Sequence, residues 1–299
     1  MSRQKIGNLP CRAYNCIETD MVVDSHCHIL PPSFRTRRDE LVARDATFAA
    51  LFSGDNPRMA TSDSLIEAMD QTGISWSVAM GIGWSDRSLA VEANNYIIQS
   101  MERFPGRLAG LCSVSPAWGD AAVAEVERCS KAGLRGIGEI HPDTQGFDIT
   151  DKSLLTPLME AAQELGMPLV VHCSEPVGHK YPGKGQTTPE KLYRFIENFP
   201  DNTLVCAHWG GGLPFYALMP EVPEVIKNVY FDTAASPFLY RPEIFATVAG
   251  LVGADRVLFG SDYPLIGQRR SLRDVEQAGL EPLDQEAVLG GNSARLFGL

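Results

Sequence analysis

Four histidines and an aspartate stand at the ends of short apolar runs, in order along nearly the whole chain. They are His26 and His28 in VVDSHCHI, His172 in PLVVHCSE, His208 in TLVCAHWGG and Asp262 in RVLFGSDYP. Neutral imidazole and carboxylate are the donors that zinc and similar first-row ions take, and three or four of them make a site. In a strand alternate side chains share a face, so His26 and His28 point the same way and can grip one ion together. Five of the six histidines (His26, His28, His141, His172 and His208) fall at or just beyond the C-terminal end of a candidate strand. Histidines kept only for packing would be scattered. The pattern predicts a metal-dependent enzyme.

Ligands so far apart in sequence must be brought together by the fold. A parallel barrel does this, because all its strand ends meet at one rim. From Met21 onward β-rich runs alternate with amphipathic stretches, the candidate strands being 21–28, 75–82, 108–114, 134–140, 168–174, 203–208, 228–233 and 256–261. Between them lie helical patterns such as SLIEAMDQTG and SLLTPLMEAAQELG, most closing on Gly or Pro. Eight strands alternating with helices in 299 residues predict a (β/α)8 TIM barrel of the α/β class. No Gly-rich dinucleotide fingerprint follows the first strand, where DSHCHILPP stands instead. Residues 21–299 are expected to form this single barrel domain, with 1–20 a polar N-terminal leader.

Composition narrows the partners. With 37 acidic against 26 basic residues the net charge is −11, which argues against nucleic acid or an anionic membrane as the main partner. No apolar stretch approaches the roughly 20 residues of a membrane helix, and the first twenty residues lack a signal peptide's apolar region, so the cytoplasm is the expected location. Of seven cysteines, Cys27, Cys112, Cys173 and Cys206 sit inside candidate strands, and none makes a zinc-finger spacing; reduced, structural thiols are expected. Two connections are longer than a scaffold requires, 29–60 and 175–188. They carry Arg35, Arg37, Arg38 and Arg44, and His179, Lys180 and Lys184; Arg269 and Arg270 follow the last strand. Basic residues on the rim of an acidic protein suit a small anionic substrate, with Lys180, Arg269 and His141 as candidate contacts. Ordinary surface ion pairing is the alternative.

Together these residues resemble the amidohydrolase superfamily, in particular its amidohydrolase-related branch. The match runs from Asp24, His26 and His28 through His172 and His208 to the GSDYP around Asp262, and on to the closing GGNSARLFGL. The resemblance implies a distorted (β/α)8 barrel with one or two divalent ions at its rim, zinc being the first expectation and manganese or iron acceptable to the same donors. It implies that His26, His28 and His172 are neutral ligands and Asp262 the anionic one, which also shuttles a proton from the metal-bound water. His208 then binds a second ion or stabilises an oxyanion on the substrate. Asp24, deeper on the same face, is expected to support the ligands rather than bind. Barrels of this kind often pair into homodimers, though no stripe of residues marks an interface.

The fourth strand leaves a choice open. LRGIGEIHP puts Glu139 and His141 on one face. Some subgroups carry a glutamate there that bridges two ions, and mononuclear members need none; Glu139 is counted as a candidate ligand, with a salt bridge or substrate contact as the alternative. The leading functional expectation is hydrolysis of an amide, lactone, ester or phosphoester by metal-activated water. The alternative is a non-oxidative decarboxylase resembling aminocarboxymuconate semialdehyde decarboxylase, which needs one ion. A barrel that has lost its chemistry is disfavoured, since none of the five rim positions is missing. Trp209, beside His208, suits either a pocket wall or helix packing.

Overall fold

A computed structural model describes residues 21–299; the leader expected over 1–20 lies outside the described residues. Eight parallel strands follow in chain order: β1 Val23–His28, β2 Trp76–Met80, β3 Leu108–Gly110, β4 Ile137–Ile140, β5 Leu169–Val171, β6 Leu204–Cys206, β7 Val229–Asp232 and β8 Val257–Leu258. Each falls within a candidate strand, and each is shorter. Regular pairing makes two sheets, one of β1-β2-β3 and one of β4-β5-β6-β7-β8.

Isolated backbone contacts close the two seams. At one, Cys112 bridges Ile137, with Cys112 N donating to Gly136 O at 2.9 Å and Gly138 N to Cys112 O at 3.0 Å. At the other, Ser25 N donates to Phe259 O at 2.8 Å and Asp262 N to His26 O at 3.0 Å. This second seam is tight: a Cβ on Gly260 would lie 2.8 Å from His26 Cβ, so only glycine lets the chain pass there. The outcome is the predicted (β/α)8 barrel, distorted at both seams.

The barrel's interior holds Val23, Val78, Ala109, Val170, Val205 and Leu258 in one buried cluster, joined by Phe297 of the C-terminal helix. Val170 precedes His172 by two residues and so shares its face, which stacks the ligands directly above an apolar plug. Outside, the helix Arg87–Arg103 is capped by Asp86, which accepts from Ser88 N and Leu89 N. It buries Leu89, Ala93 and Ile97, and each buried Leu or Ile contributes roughly 1.5–3 kcal/mol.

The stretch expected as a long loop over 29–60 contains three short helices, Pro32–Thr36, Arg38–Arg44 and Ala46–Phe52. Their Phe34, Leu41 and Phe48 pack with Trp84 in a satellite cluster. Buried Asp45 fastens the third helix: Oδ1 accepts from Phe48 N at 2.8 Å, and Oδ2 from Ser85 N at 2.7 Å, Ser85 Oγ at 2.9 Å and Asp86 N at 2.8 Å. Helices of one or two turns show too little periodicity to be read as such. Cys27, Cys112, Cys129, Cys173 and Cys206 are buried and free. Among the described residues no helix is long and apolar enough to cross a membrane.

Candidate metal centre

The six candidate ligands converge at the C-terminal rim in two groups of three. His26, His28 and Asp262 form one, and Glu139, His172 and His208 the other. In the first, His26 Nε2 lies 3.1 Å from His28 Nε2, and His28 Nε2 lies 3.3 Å from Asp262 Oδ1. In the second, His172 Nδ1 lies 3.0 Å from Glu139 Oε1 and 3.2 Å from His208 Nε2. Glu139 joins the groups. Its Oε1 is 3.3 Å from His208, while its Oε2 stands 3.8 Å from both His26 Nε2 and His28 Nε2.

The backbone is bent to make this possible. β6 stops at Cys206, and His208, Trp209, Gly210, Gly211 and Gly212 all take positive φ. Each non-glycine in that conformation costs roughly 1–2 kcal/mol. Buried Asp232 helps to hold the bend: Oδ1 accepts from His208 N at 3.0 Å, while Oδ2 receives His26 Nδ1 at 2.8 Å. Trp209 is packed rather than presented to a ligand. Its ring is wholly buried edge-on to Phe245, and Nε1 donates to Ser236 Oγ at 3.0 Å. Asp262 also has a positive φ of 65°. Asp24 supports it from below, accepting from Ser261 N at 2.8 Å, from Ser261 Oγ at 2.6 Å and from Gln268 Nε2 at 2.9 Å.

These donors fit a cation. His26 Nδ1 meets Asp232, His28 Nδ1 lies 2.6 Å from Gly81 O, and His208 Nδ1 lies 3.1 Å from Ala234 O. Those oxygens can only accept, so each ring carries its proton on Nδ1 and turns a bare Nε2 inward. Lone pairs then face lone pairs and carboxylate oxygens. Two ligands about 2.1 Å from one ion stand about 3.4 Å apart at a tetrahedral angle, close to the separations seen here. Without an ion, protons can take its place. Burial alone would lower His26, but Asp232, then Glu139 and Asp262, raise it to about 9. Burial likewise opposes protonation of His208, yet Glu139 foremost raises it to about 10. Burial pushes the Glu139 and Asp262 carboxyls up; the facing imidazoles outweigh it and bring both below their ordinary values.

Above the donors opens a cavity of about 440 Å³. Its walls are largely apolar, with Leu51, Phe52, Ile82, Phe238 and Leu239 among them, and all the candidate ligands except His26 reach its floor.

A family model described as amidohydrolase matches residues 23–299. The chain belongs to the amidohydrolase family. Among curated relatives it is 22% identical over 291 residues to the gamma-resorcylate decarboxylase of Polaromonas sp., covering 79% of this chain and 87% of that one. It is 25% identical over 241 residues to the 2-amino-3-carboxymuconate-6-semialdehyde decarboxylase of Dictyostelium discoideum, covering 71% and 67%. Among solved structures, 5-carboxyvanillate decarboxylase from Sphingomonas paucimobilis superposes with a TM-score of 0.77 at 19% identity, covering 94% of this chain and all of that one. The same enzyme from Novosphingobium aromaticivorans, in complex with manganese and 4-hydroxy-3-methoxy-5-nitrobenzoic acid, gives 0.78 at 18% identity, covering 93% and 96%. As amidohydrolase barrels these structures share the fold.

Within this amidohydrolase barrel the expected substrate contacts divide. His141 lines the cavity, stacked on the His172 ring at 4.1 Å, with Nε2 3.0 Å from Gly183 O. Lys180 does not line it and is exposed; its neighbours His179 and Tyr181 do. Arg269 is spent elsewhere, donating to Gln71 O at 2.9 Å on the barrel's flank. The four arginines named above in 29–60 are tied into the scaffold: Arg37 pairs with Glu40 and Glu92, Arg44 with Glu40 and Asp86, and Arg38 and Arg35 bind backbone carbonyls. Ion pairing thus occupies Arg37 and Arg44, and backbone carbonyls occupy Arg35 and Arg38. The arginine that does reach the cavity is Arg58, which the sequence reading missed; it donates to Leu265 O at 2.7 Å. Its position depends on a loop some two hundred residues away, which no local pattern announces. Asp232 was also missed as a histidine partner, although its place at the end of an apolar run was the available signal.

Proposed function

We propose that the chain removes a carboxylate, without oxidation, from a small unsaturated or aromatic acid. The observation that carries this is the named activity of its relatives: both curated matches are decarboxylases of such acids. The leading expectation from sequence, hydrolysis, therefore gives way to its alternative. The cavity suits the reaction. Apolar walls accept a planar ring, Arg58 supplies a cation at the edge, and the donors lie beneath.

In the reaction the bond between the carboxylate carbon and its unsaturated neighbour breaks, carbon dioxide leaves, and a proton takes its place. No oxidant is required. His26, His28 and Asp262 would hold one divalent ion, completed from the side where Glu139 and His172 stand. When bound, that ion would supply Lewis-acid polarisation of the substrate oxygens beside it. Asp262 and His208 are the groups assigned to hold and deliver the proton, with His141 and Arg58 orienting the acid. Manganese in a structural neighbour moves that metal ahead of the zinc expected from sequence.

The test is metal analysis of gently purified protein together with carbon dioxide release from a panel of hydroxybenzoates. One ion per chain and release matched by a decarboxylated ring product are expected, with Asp262→Asn slower by about 10²–10⁴-fold. Absence of release across the panel, with turnover of lactones or esters, would overturn the assignment. Hydrolysis stays as a second reading because Glu139 turns one oxygen toward each donor group. It requires two ions in the native protein and one in Glu139→Ala.

A further inference from the structure

Two large apolar side chains stand exposed on the wall of the cavity, and both are held in place. Phe238 is 45% and Leu265 46% exposed, whereas Ile82 and Phe52 on the same lining are 2% and 8% exposed. Ile82 adjoins Gly81, whose carbonyl meets His28 Nδ1. The apolar wall therefore runs from beside the donors out to solvent, with Phe238 and Leu265 at its outer end.

Phe238 belongs to the one-turn helix Ser236–Leu239, entered through Ala235 at a φ of 57°. A non-glycine residue persists in that conformation only where its surroundings fix it. Here Trp209 Nε1 donates to Ser236 Oγ at 3.0 Å. Arg270 lies over the Phe238 ring at 5.0 Å and donates to Pro237 O at 3.1 Å. Leu265 is held by Arg58, which donates to its carbonyl at 2.7 Å. Ile266 N donates to Asp262 O at 3.2 Å, so the turn that carries a floor carboxylate also carries the outer leucine.

Exposed apolar side chains scattered singly need no explanation, but gathered at one cavity mouth they mark a binding surface. The hydroxyls on the wall are spent within the protein, Thr47 donating to Gly83 O and Tyr181 to Glu175 Oε2. Size points the same way. Cavities of roughly 300–1,000 Å³ enclose drug-sized ligands. This one, about 440 Å³, has room beyond a single ring and its carboxylate.

We propose that Phe238 and Leu265 form an outer apolar subsite, and that the acid this chain takes carries an alkyl or aryl substituent on the side away from its carboxylate. The direction of the substituent rests on the reading above, in which the carboxylate end lies over the donors; the subsite itself does not. Arg270 and Arg58 are positioning residues that keep the two apolar side chains at the mouth.

Affinities of four acids test this on the gently purified full chain: 2-hydroxybenzoate, and the same acid carrying a methyl, butyl or phenyl group para to the carboxylate. Dissociation constants are read for acids that are not turned over and KM for any that are. Binding should tighten by about fourfold per buried methylene, so that the butyl and phenyl acids bind about tenfold or more above the parent. A second carboxylate at the same position should bring no gain. Phe238→Ala should cut the butyl-to-parent ratio to about threefold or less, and Phe238→Leu should restore part of it. Leu265→Ala, on a different element, should lower the ratio too and guards against a misfolded phenylalanine variant. Equal affinity across the series, or a ratio that survives both alanine variants, would overturn the subsite. Equal affinity with an altered sedimentation coefficient in Phe238→Ala would give this face to a second copy of the chain instead. Carbon dioxide release from the same samples separates the two readings. Tight binding of the butyl acid without release would sink decarboxylation and leave the subsite standing; release at equal affinity would do the reverse.

Discussion

At the scale of single residues, one carboxylate orders half of the centre. Asp232 spends Oδ2 on His26 Nδ1 and Oδ1 on the backbone of His208. It fixes the tautomer of one donor and the strained turn that aims another. An amide of the same size cannot serve both, because its NH2 would meet a hydrogen on one side or the other. Asp232→Asn is therefore expected to lose about 10–100-fold in manganese affinity while remaining folded, read by chelator competition beside a thermal melt. The convergence of the candidate ligands was legible because strand-end placement and residue type coincide at His26, His28, His172, His208 and Asp262. Lys180 and Arg269 stand off the cavity: their charge was visible in the sequence and their direction was not. Arg58 is the reverse case: a side chain set by Leu265 cannot be found by reading its own neighbourhood.

At the scale of elements, the apolar side of the cavity depends on a helix of only seven residues, Ala46–Phe52, which brings Thr47, Leu51 and Phe52 to it. A helix so short has little stability of its own. Asp45 stands in for it, with four donors on one buried carboxylate. Asp45→Asn should cost about 1–3 kcal/mol by leaving donors without an acceptor. A falling melting temperature, with KM rising more than kcat falls, is the expected signature. A kcat loss without a change in KM would contradict the helix's role as a wall. Strands and long helices were readable from period and caps. The three helices of 29–60 were not, because their order comes from packing on Trp84 and from the bonds of Asp45 to Ser85 and Asp86, all partners outside that stretch.

At the scale of the whole molecule, the buried charge of the centre ties stability to pH. In the metal-free protein His26 is raised to about 9 and His208 to about 10, against an ordinary value of 6.5. Both bind protons more tightly folded than unfolded. Their contribution is fully present below about pH 6.5 and is lost as the pH climbs through 9 and 10. The metal-free protein should thus melt at progressively lower temperature across that window. Manganese-loaded protein should show a much flatter profile there, because its imidazoles are already unprotonated. Identical profiles would mean that the ion does not sit on these rings. Fold class and closure were legible from the alternation of eight strands. The break into sheets of three and five was not, since a seam depends on which strands lose partners and not on any one strand's composition.

That break has a consequence for how the barrel comes together. His26 and His28 ride on the three-stranded sheet, whereas Glu139, His172, His208 and Asp262 all stand on or just beyond strands of the five-stranded sheet. An ion held by both sets is a crosslink between two pieces, so its affinity and theirs for each other are thermodynamically linked. Cleaved in the exposed turn at Ala132 and Gly133, the chain would yield an amino-terminal and a carboxy-terminal fragment, each with an incomplete donor set. Complementation of the two fragments should be tighter in manganese than in chelator, and by the same factor that separates the ion's affinity for the joined pair from its affinity for either piece.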